Sequence, residues 1–225
     1  MAKANVLKCI EEVGIIPVVR ASSSGDALSI AEVLREGGIP ILEITMTVPG
    51  AVGVIRQLRK QHGDNVLVGA GTVLDLEAAG QCIRAGAQFI VSPSFNVDIL
   101  DLCKKRGVAI FPGALTPTEI INAWQAGADA VKVFPCSAVG GPPYLRALRA
   151  PFPEIKLIPT GGVSLLTAQE FVAAGAWALG VGTDLVPSKA IGPGESEAVA
   201  TAARNYLNAI REARSAIARV ANRSP

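Results

Sequence analysis

Eight short apolar segments recur along the chain at intervals of roughly 20–26 residues, and this recurrence constrains the fold more than any other feature. The segments begin at Gly14, Ile39, Asn65, Gln88, Val108, Asp129, Ile155 and Trp177. One strand, one helix and two short loops fill an interval of this length. The pattern therefore predicts a repeated β–α unit.

The segments between the apolar runs have helical periodicity. DALSIAEVLREGG, which starts at Asp26, places apolar residues three and four positions apart and ends in Gly-Gly. The strands are nearly continuous apolar runs, which is typical of a parallel sheet covered on both faces. Eight such strands, each followed by a helix, predict an α/β fold that closes into a (β/α)8 TIM barrel, with an extra N-terminal helix.

An open, doubly wound sheet is the competing architecture. It is disfavoured because no GxGxxG follows the first strand, and no acidic residue that could hold a ribose follows the second. The chain has 225 residues, of which 50% are hydrophobic, so we expect one domain over 1–225. Its N-terminal helix is predicted over 1–13, and an amphipathic C-terminal helical segment over about 194–222 is expected to cover the outside of the barrel.

Charge and composition argue against several classes of protein. A net charge of +2 gives no indication of nucleic-acid binding. No segment approaches the ~18 uninterrupted apolar residues of a membrane span, and the N-terminus lacks the apolar run of a signal peptide. The four cysteines form no CxxC pair and the chain has one histidine, His62, so we expect no metal, no cofactor, reduced thiols and a cytoplasmic location.

Polar residues gather at the carboxyl ends of the predicted strands, where barrel enzymes place their active sites. Two charged residues lie within strands: Glu43 in ILEIT and Lys132 in AVKVF. A single buried charge costs several kcal/mol unless it is paired or neutralised. The pair has a structural interpretation, as a buried ion pair or as side chains that reach the barrel mouth. It also has a functional one, in which a desolvated lysine of lowered pKa attacks a carbonyl and Glu43 moves protons.

Glycine-rich turns end the last two predicted strands, as TGG at 160–162 and GVGT at 180–183. Backbone N–H groups at such turns and at helix N-termini bind phosphate, and in barrels this site usually follows strands seven and eight. The alternative is that these glycines only form tight turns.

Taken together, eight segments resemble the 2-keto-3-deoxy-6-phosphogluconate aldolase family, the class I pyruvate aldolases also described as 4-hydroxy-2-oxoglutarate aldolases. The segments are PVVRA, LEITMTVPGAV, VGAGTVLD, AQFIVSPS, PGALTPTE, AVKVFP, PTGGV and GVGTDLV, between about Ile15 and about Pro187. The resemblance implies a homotrimeric, metal-free barrel. Its substrate would be a 2-keto-3-deoxy phosphosugar acid cleaved to pyruvate, with 4-hydroxy-2-oxoglutarate as a further candidate.

The resemblance also implies roles for individual residues. Lys132 would form the imine, Glu43 would shuttle protons, and Thr72 would touch the pyruvyl carboxylate. The remaining residues expected to contact substrate are Pro93, Phe134, Gly161, Gly162, Gly182 and Thr183, the glycines and Thr183 through the phosphate. Some members carry an arginine four residues after the glutamate, where this chain has Thr47. We therefore expect Arg20 to lie near the substrate carboxylate, because a guanidinium binds carboxylates in bidentate fashion. A salt bridge on the surface is its structural alternative.

Two other functions compete with the aldolase. One is a phosphate-binding barrel isomerase or synthase, which would share TGG and GVGT but need no lysine–glutamate pair. The other is a non-catalytic barrel that binds a sugar phosphate as a sensor or assembly subunit. Within the family, the sequence leaves the configuration at carbon 4 open, so a 2-keto-3-deoxy-6-phosphogalactonate aldolase is also compatible with it.

Overall fold

The computed structural model describes residues 1–186 and 193–221, which form nine α-helices, two short 3-10 helices and nine strands within those ranges. The helices are α1 (Lys3–Val13), α2 (Ser24–Glu36), α3 (Ala51–His62), α4 (Leu76–Ala85), α5 (Val97–Arg106), α6 (Pro117–Gln125), α7 (Pro142–Arg149), α8 (Leu165–Ala173) and α9 (Pro193–Ala221). The strands are β1 (Ile15–Val19), β2 (Ile41–Thr45), β3 (Leu67–Gly71), β4 (Phe89–Val91), β5 (Ala109–Phe111), β6 (Gly113–Ala114), β7 (Val131–Val133), β8 (Leu157–Pro159) and β9 (Leu179–Val181).

The strands pair in parallel and form two sheets. Six strands lie in the order β5-β4-β3-β2-β1-β9, and three lie in the order β6-β7-β8. Each of these strands is buried along its whole length, as the continuous apolar runs predict. The parallel α/β architecture is confirmed.

The chain passes from the six-stranded sheet to the three-stranded sheet at a proline, Pro112. The fifth predicted strand is divided at Pro112, so that β5 pairs with β4 and β6 pairs with β7. Proline has no N–H to donate to a ladder, which ends the regular pairing there. Its carbonyl still accepts the N–H of Lys132 at 2.9 Å. At the other end of the three-stranded sheet, a single bridge joins Thr160 to Gly180. The sheet is therefore curled, and its closure as an eight-stranded barrel stays a prediction.

Capping residues fix where the helices begin. Ser23, Asp75 and Asn96 accept backbone N–H groups in the first turns of α2, α4 and α5. At α6 the Thr116 hydroxyl and the Glu119 carboxylate form a reciprocal capping box. Because the strands are parallel, the loops that follow their carboxyl ends lie on the same side of the sheets.

The long helix α9 packs against α2 and α8. Its approach to α2 is close, because a Cβ added at Gly37 would lie 2.6 Å from the Cβ of Ala203. Tyr206 on α9 is fully buried in the core. The helix occupies the region for which the sequence predicts one or two amphipathic helices.

No helix within residues 1–186 and 193–221 is long and apolar enough to cross a membrane. All four cysteines are free thiols, and Cys82, Cys103 and Cys136 are buried.

Candidate active site

The two charged strand residues predicted from the sequence meet between the six-stranded and the three-stranded sheet. Lys132 on β7 and Glu43 on β2 are 4% and 3% exposed. The Lys132 Nζ lies 4.0 Å from the Glu43 Oε1. The Lys132 Nζ also lies 5.3 Å from the centre of the Phe134 ring and makes a cation–π contact with it. A lysine and a carboxylate are thus held together out of water.

The Glu43 carboxylate is incompletely satisfied. Its buried Oε1 has no hydrogen-bond partner among residues 1–186 and 193–221. Burial raises the pKa of Glu43 above its usual value, and this effect outweighs the opposing charges of Lys132 and Arg20. A buried polar atom without a partner is uncommon in folded proteins and calls for a functional or structural reason.

Gly71 makes room for this carboxylate. It ends β3 and pairs with Thr45, two residues after Glu43. A Cβ at Gly71 would overlap the Glu43 Oε1 and lie 2.6 Å from its Cγ and Cδ. The next residue, Thr72, has a φ of 55°, which is rare for a β-branched residue. This strained backbone lies beside the pair, and strain of this kind clusters at functional sites.

A cavity of about 490 Å³ is lined in part by Phe134, whose ring contacts Lys132. It is formed by the loops that follow β1, β7, β8 and β9. Its lining residues are Val18, Arg20, Phe134, Thr160, Gly161, Gly162, Val163, Ser164, Gly182, Thr183 and Asp184. Backbone groups of glycine turns therefore make up much of its wall.

The TGG turn between β8 and α8 is held in a conformation that favours glycine. Gly161 and Gly162 have φ values of 88° and 76°. A Cβ at Gly162 would overlap the Ser137 hydroxyl, so this turn packs closely on the loop after β7. Ser164, directly before α8, donates its N–H to the Thr167 hydroxyl at 3.1 Å and lines the cavity, so the N-terminus of this helix lies at the cavity. The helix dipole and the turn favour an anion at this point.

Arg20 is exposed and lines the cavity near Gly182. A Cβ added at Gly182 would lie 3.8 Å from the Arg20 Nη1. The strand pairing explains this position, because β1, which precedes Arg20, pairs with β9, which precedes Gly182.

The structure thus brings most of the predicted site residues to one place. Arg20, Phe134, Gly161, Gly162, Gly182 and Thr183 line the cavity. Lys132 and Glu43 do not line it, but Lys132 contacts Phe134 and Glu43 pairs with Val18, and both of these do. Thr72 and Pro93 are outside the lining. Thr72 follows Gly71 beside Glu43. Pro93 contacts Gly113, since a Cβ there would overlap the Pro93 backbone, and Gly113 pairs with Lys132.

Sequence reasoning missed Asp184 as a lining residue. Its carboxylate accepts the N–H of Leu165 at 3.0 Å and also accepts the hydroxyl of Tyr206. Its position directly after GVGT was the available signal. The pairing with Tyr206 had none, because the two residues are 22 positions apart on different elements.

The described ranges contain no group of three or more His, Cys, Asp and Glu side chains placed to hold a metal ion.

Comparison with known proteins gives these features a chemical class. A relative from Treponema pallidum (strain Nichols), named 2-dehydro-3-deoxy-phosphogluconate aldolase, is 37% identical over 205 residues, which are 91% of this chain and 97% of the relative. The chain is a carbon–carbon lyase of the aldolase class. A family model described as KDPG and KHG aldolase matches residues 6–202, and the chain belongs to this family.

Solved structures agree with this assignment. A structure described as "Native KDPGal structure" is 32% identical with a TM-score of 0.82, over 89% of this chain and 96% of that one. KDPG aldolase from Legionella pneumophila, with pyruvate captured as a covalent carbinolamine intermediate, is 29% identical with a TM-score of 0.76, over 91% and 96%.

Proposed function

We propose that this chain cleaves 2-keto-3-deoxy-6-phosphogluconate into pyruvate and glyceraldehyde 3-phosphate through an imine on Lys132. The observation that carries the proposal is the buried pair, in which the Lys132 Nζ and the Glu43 Oε1 lie 4.0 Å apart. Family membership supports it, as do the names of the relatives. The carbinolamine captured in the Legionella pneumophila enzyme supports an imine route in this family.

The first half of the reaction forms the imine. The Lys132 amine adds to the carbon-2 ketone, and Glu43 protonates the departing hydroxyl of the carbinolamine, which leaves as water. The raised pKa of Glu43 suits this task, because an acid that shuttles protons works best with a pKa near the working pH. Its unpartnered Oε1 faces the lysine and is free to exchange the proton.

The second half breaks the bond between carbons 3 and 4. Glu43, now a carboxylate, takes the proton of the carbon-4 hydroxyl, and the bonding electrons move into the protonated imine. Glyceraldehyde 3-phosphate leaves and an enamine of pyruvate remains. Protonation of its carbon 3 by Glu43, followed by hydrolysis, releases pyruvate and restores the lysine.

Two anionic groups of the substrate need recognition. The phosphoryl group would bind the turns at Gly161, Gly162, Gly182 and Thr183, where backbone donors and the N-terminus of α8 favour an anion. Thr72 would bind the pyruvyl carboxylate, while Pro93 and Phe134 would pack against the carbon chain. The sequence suggests the carboxylate as the partner of Arg20, but its place beside Gly182 favours the phosphoryl group.

The proposal includes a closed (β/α)8 barrel over a single domain, 1–225. In this arrangement β5 and β6 are two halves of one strand, and the Thr160–Gly180 bridge joins β8 to β9. The hydrogen bond from the Trp177 N–H to the Leu157 carbonyl, 2.9 Å, supports pairing at the same seam. Closure would hold Lys132 and Glu43 on opposite sides of one lumen.

The proposal also includes a homotrimer in the cytoplasm. Leu74, Leu76, Phe95 and Val97 are exposed in the segments that follow β3 and β4, with Leu76 and Val97 as the first residues of α4 and α5. Exposed apolar patches of this kind mark contact surfaces, and rings of identical subunits bury them. Sedimentation equilibrium of the wild type and of Leu76→Lys tests this part, with a trimer expected for the first and smaller species for the second.

A second substrate class has specific support. The similarity to the KDPGal structure favours 2-keto-3-deoxy-6-phosphogalactonate, the carbon-4 epimer, as an alternative substrate. The family description also includes KHG, so 4-hydroxy-2-oxoglutarate, which would give pyruvate and glyoxylate, belongs in the same comparison.

Steady-state cleavage of the three compounds, read as pyruvate release, tests the proposal. We expect kcat/KM to be highest for the gluconate derivative. Lys132→Ala should lower kcat by at least about 10⁴-fold, whereas the matched control Lys105→Ala, at an exposed position on α5, should leave it unchanged. Full activity of Lys132→Ala would refute the mechanism, and a preference for the galactonate derivative would replace the proposed substrate.

A further inference from the structure

The candidate anion site contains a carboxylate that a phosphoryl group would have to approach. Asp184 lines the cavity together with Gly161, Gly162 and Thr183, the residues proposed to hold the phosphate. A like charge at this position opposes binding of an anion. How this carboxylate is held therefore affects the affinity for a phosphorylated substrate.

One oxygen of Asp184 is fixed by two donors from different helices. Its Oδ2 accepts the N–H of Leu165, the first residue of α8, at 3.0 Å, and it accepts the hydroxyl of Tyr206 on α9. The backbone around it is a turn, because Leu185 and Val186 both donate to the Gly182 carbonyl, at 3.0 and 2.8 Å. Side chain and backbone are thus both tied down.

Tyr206 donates its hydroxyl hydrogen bond to Asp184 from within the hydrophobic core. Its side chain is fully buried on α9, which packs against α2 and α8, so its ring cannot move aside without disturbing the core. Burial and the adjacent carboxylate raise the pKa of Tyr206, which keeps its hydroxyl protonated and able to donate. Loss of this acceptor would leave a buried hydroxyl unpaired, which is unfavourable.

We propose that Tyr206 is a positioning residue for substrate phosphate binding. By holding Asp184 against α8 and α9, it limits the negative charge that the phosphoryl group meets in the glycine-lined cavity. The C-terminal helix, which lies outside the site, thereby sets the preference for phosphorylated over unphosphorylated substrates. This inference rests on the proposed phosphate site.

The test compares two aldehydes in the reverse reaction, the addition of pyruvate to D-glyceraldehyde 3-phosphate and to D-glyceraldehyde, which differ by the phosphoryl group alone. Tyr206→Phe removes the hydroxyl and keeps the ring. We expect it to raise the KM for the phosphorylated aldehyde about 10-fold, equivalent to about 1.4 kcal/mol, and to change kcat and the KM for D-glyceraldehyde less than about twofold. The chain's other tyrosine gives a matched control, because Tyr144→Phe also removes one hydroxyl donor, to the Leu115 carbonyl.

Removing the charge of Asp184 distinguishes a positioning role of Tyr206 from a packing role. Asp184→Asn keeps an acceptor for Tyr206 and Leu165 but loses the charge, so we expect a KM for the phosphorylated aldehyde about two- to fivefold below that of the wild type. The double variant should recover most of the affinity that Tyr206→Phe loses. Equal losses for both aldehydes, or no recovery in the double variant, would overturn the inference. A wild type without preference for the phosphorylated aldehyde would refute the phosphate site itself, and the inference with it.

Discussion

Gly71→Ala tests whether the position of Glu43 matters for the chemistry. The new Cβ would overlap the Glu43 Oε1 and lie 2.6 Å from the Glu43 Cγ and Cδ. Carbon atoms in contact normally lie about 3.5–4.0 Å apart, so the carboxylate has to retreat by roughly 1 Å. A displacement of this size at a reacting group costs about 10²-fold in rate. Overpacking should also lower the free energy of unfolding by about 1–3 kcal/mol.

The assay is pyruvate release coupled to NADH oxidation by lactate dehydrogenase, with urea denaturation to measure stability. We expect kcat to fall about 100-fold for Gly71→Ala. Gly69→Ala, on the same strand, overlaps the Phe89 ring instead of Glu43, and it should lose stability while keeping most of its activity. Gly53→Ala lies on α3, where no described atom beyond the neighbouring helix backbone is within 4 Å of the added Cβ, so it should keep full activity and gain up to about 1 kcal/mol.

A folded Gly71→Ala protein whose kcat is within about twofold of the wild type would refute the claim that the position of Glu43 matters. A Gly69→Ala protein that loses as much activity as Gly71→Ala would also count against it, because overpacking of the strand would then explain both results. In the first case Glu43 would not need the room that Gly71 provides.

Three further predictions use other parts of the structure. Arg20→Ala should raise the KM for the phosphorylated substrate about 5- to 10-fold with little change in kcat, and a larger effect on kcat than on KM in initial-rate kinetics would contradict its binding role. The folded state holds a proton on Glu43 at higher pH than the unfolded chain does, so the free energy of unfolding should fall as pH rises from the ordinary glutamate pKa to the raised one. Glu43→Gln should remove that slope in urea titrations and lower kcat about 10²-fold, and an unchanged slope would argue against the raised pKa. Thr116→Ala should lower stability by about 1 kcal/mol through loss of the α6 capping box, without affecting activity. An unchanged midpoint of thermal unfolding would show that this cap contributes little.

The strands were predictable because each is buried on both faces and therefore reads as an apolar run. The division at Pro112 was also visible in principle, since the fifth segment reads VAIFPG and proline cannot donate to a ladder. The number of strand segments was the weaker prediction. It depends on whether β5 and β6 count as one strand or two. Only the strand pairing shows this, because β5 pairs with β4 and β6 pairs with β7.

The site residues that could be predicted from the sequence are those whose burial costs free energy. Glu43 and Lys132 stand out because charges are rare in buried strands, and their neighbourhood follows from the expected barrel. The space that Gly71 leaves for Glu43 depends on the strand register, which pairs Thr45 with Gly71. The hydrogen bond from Tyr206 to Asp184 depends on how α9 packs. Neither leaves a pattern in the sequence, because both join elements that are distant along the chain.

Reductive trapping with pyruvate and sodium borohydride tests the central claim most directly. Intact mass and a peptide map of the treated protein should show one pyruvyl adduct, on the peptide that contains Lys132, and no adduct in Lys132→Ala. An unmodified wild-type protein, or an adduct on a different lysine, would contradict the imine mechanism proposed for this chain.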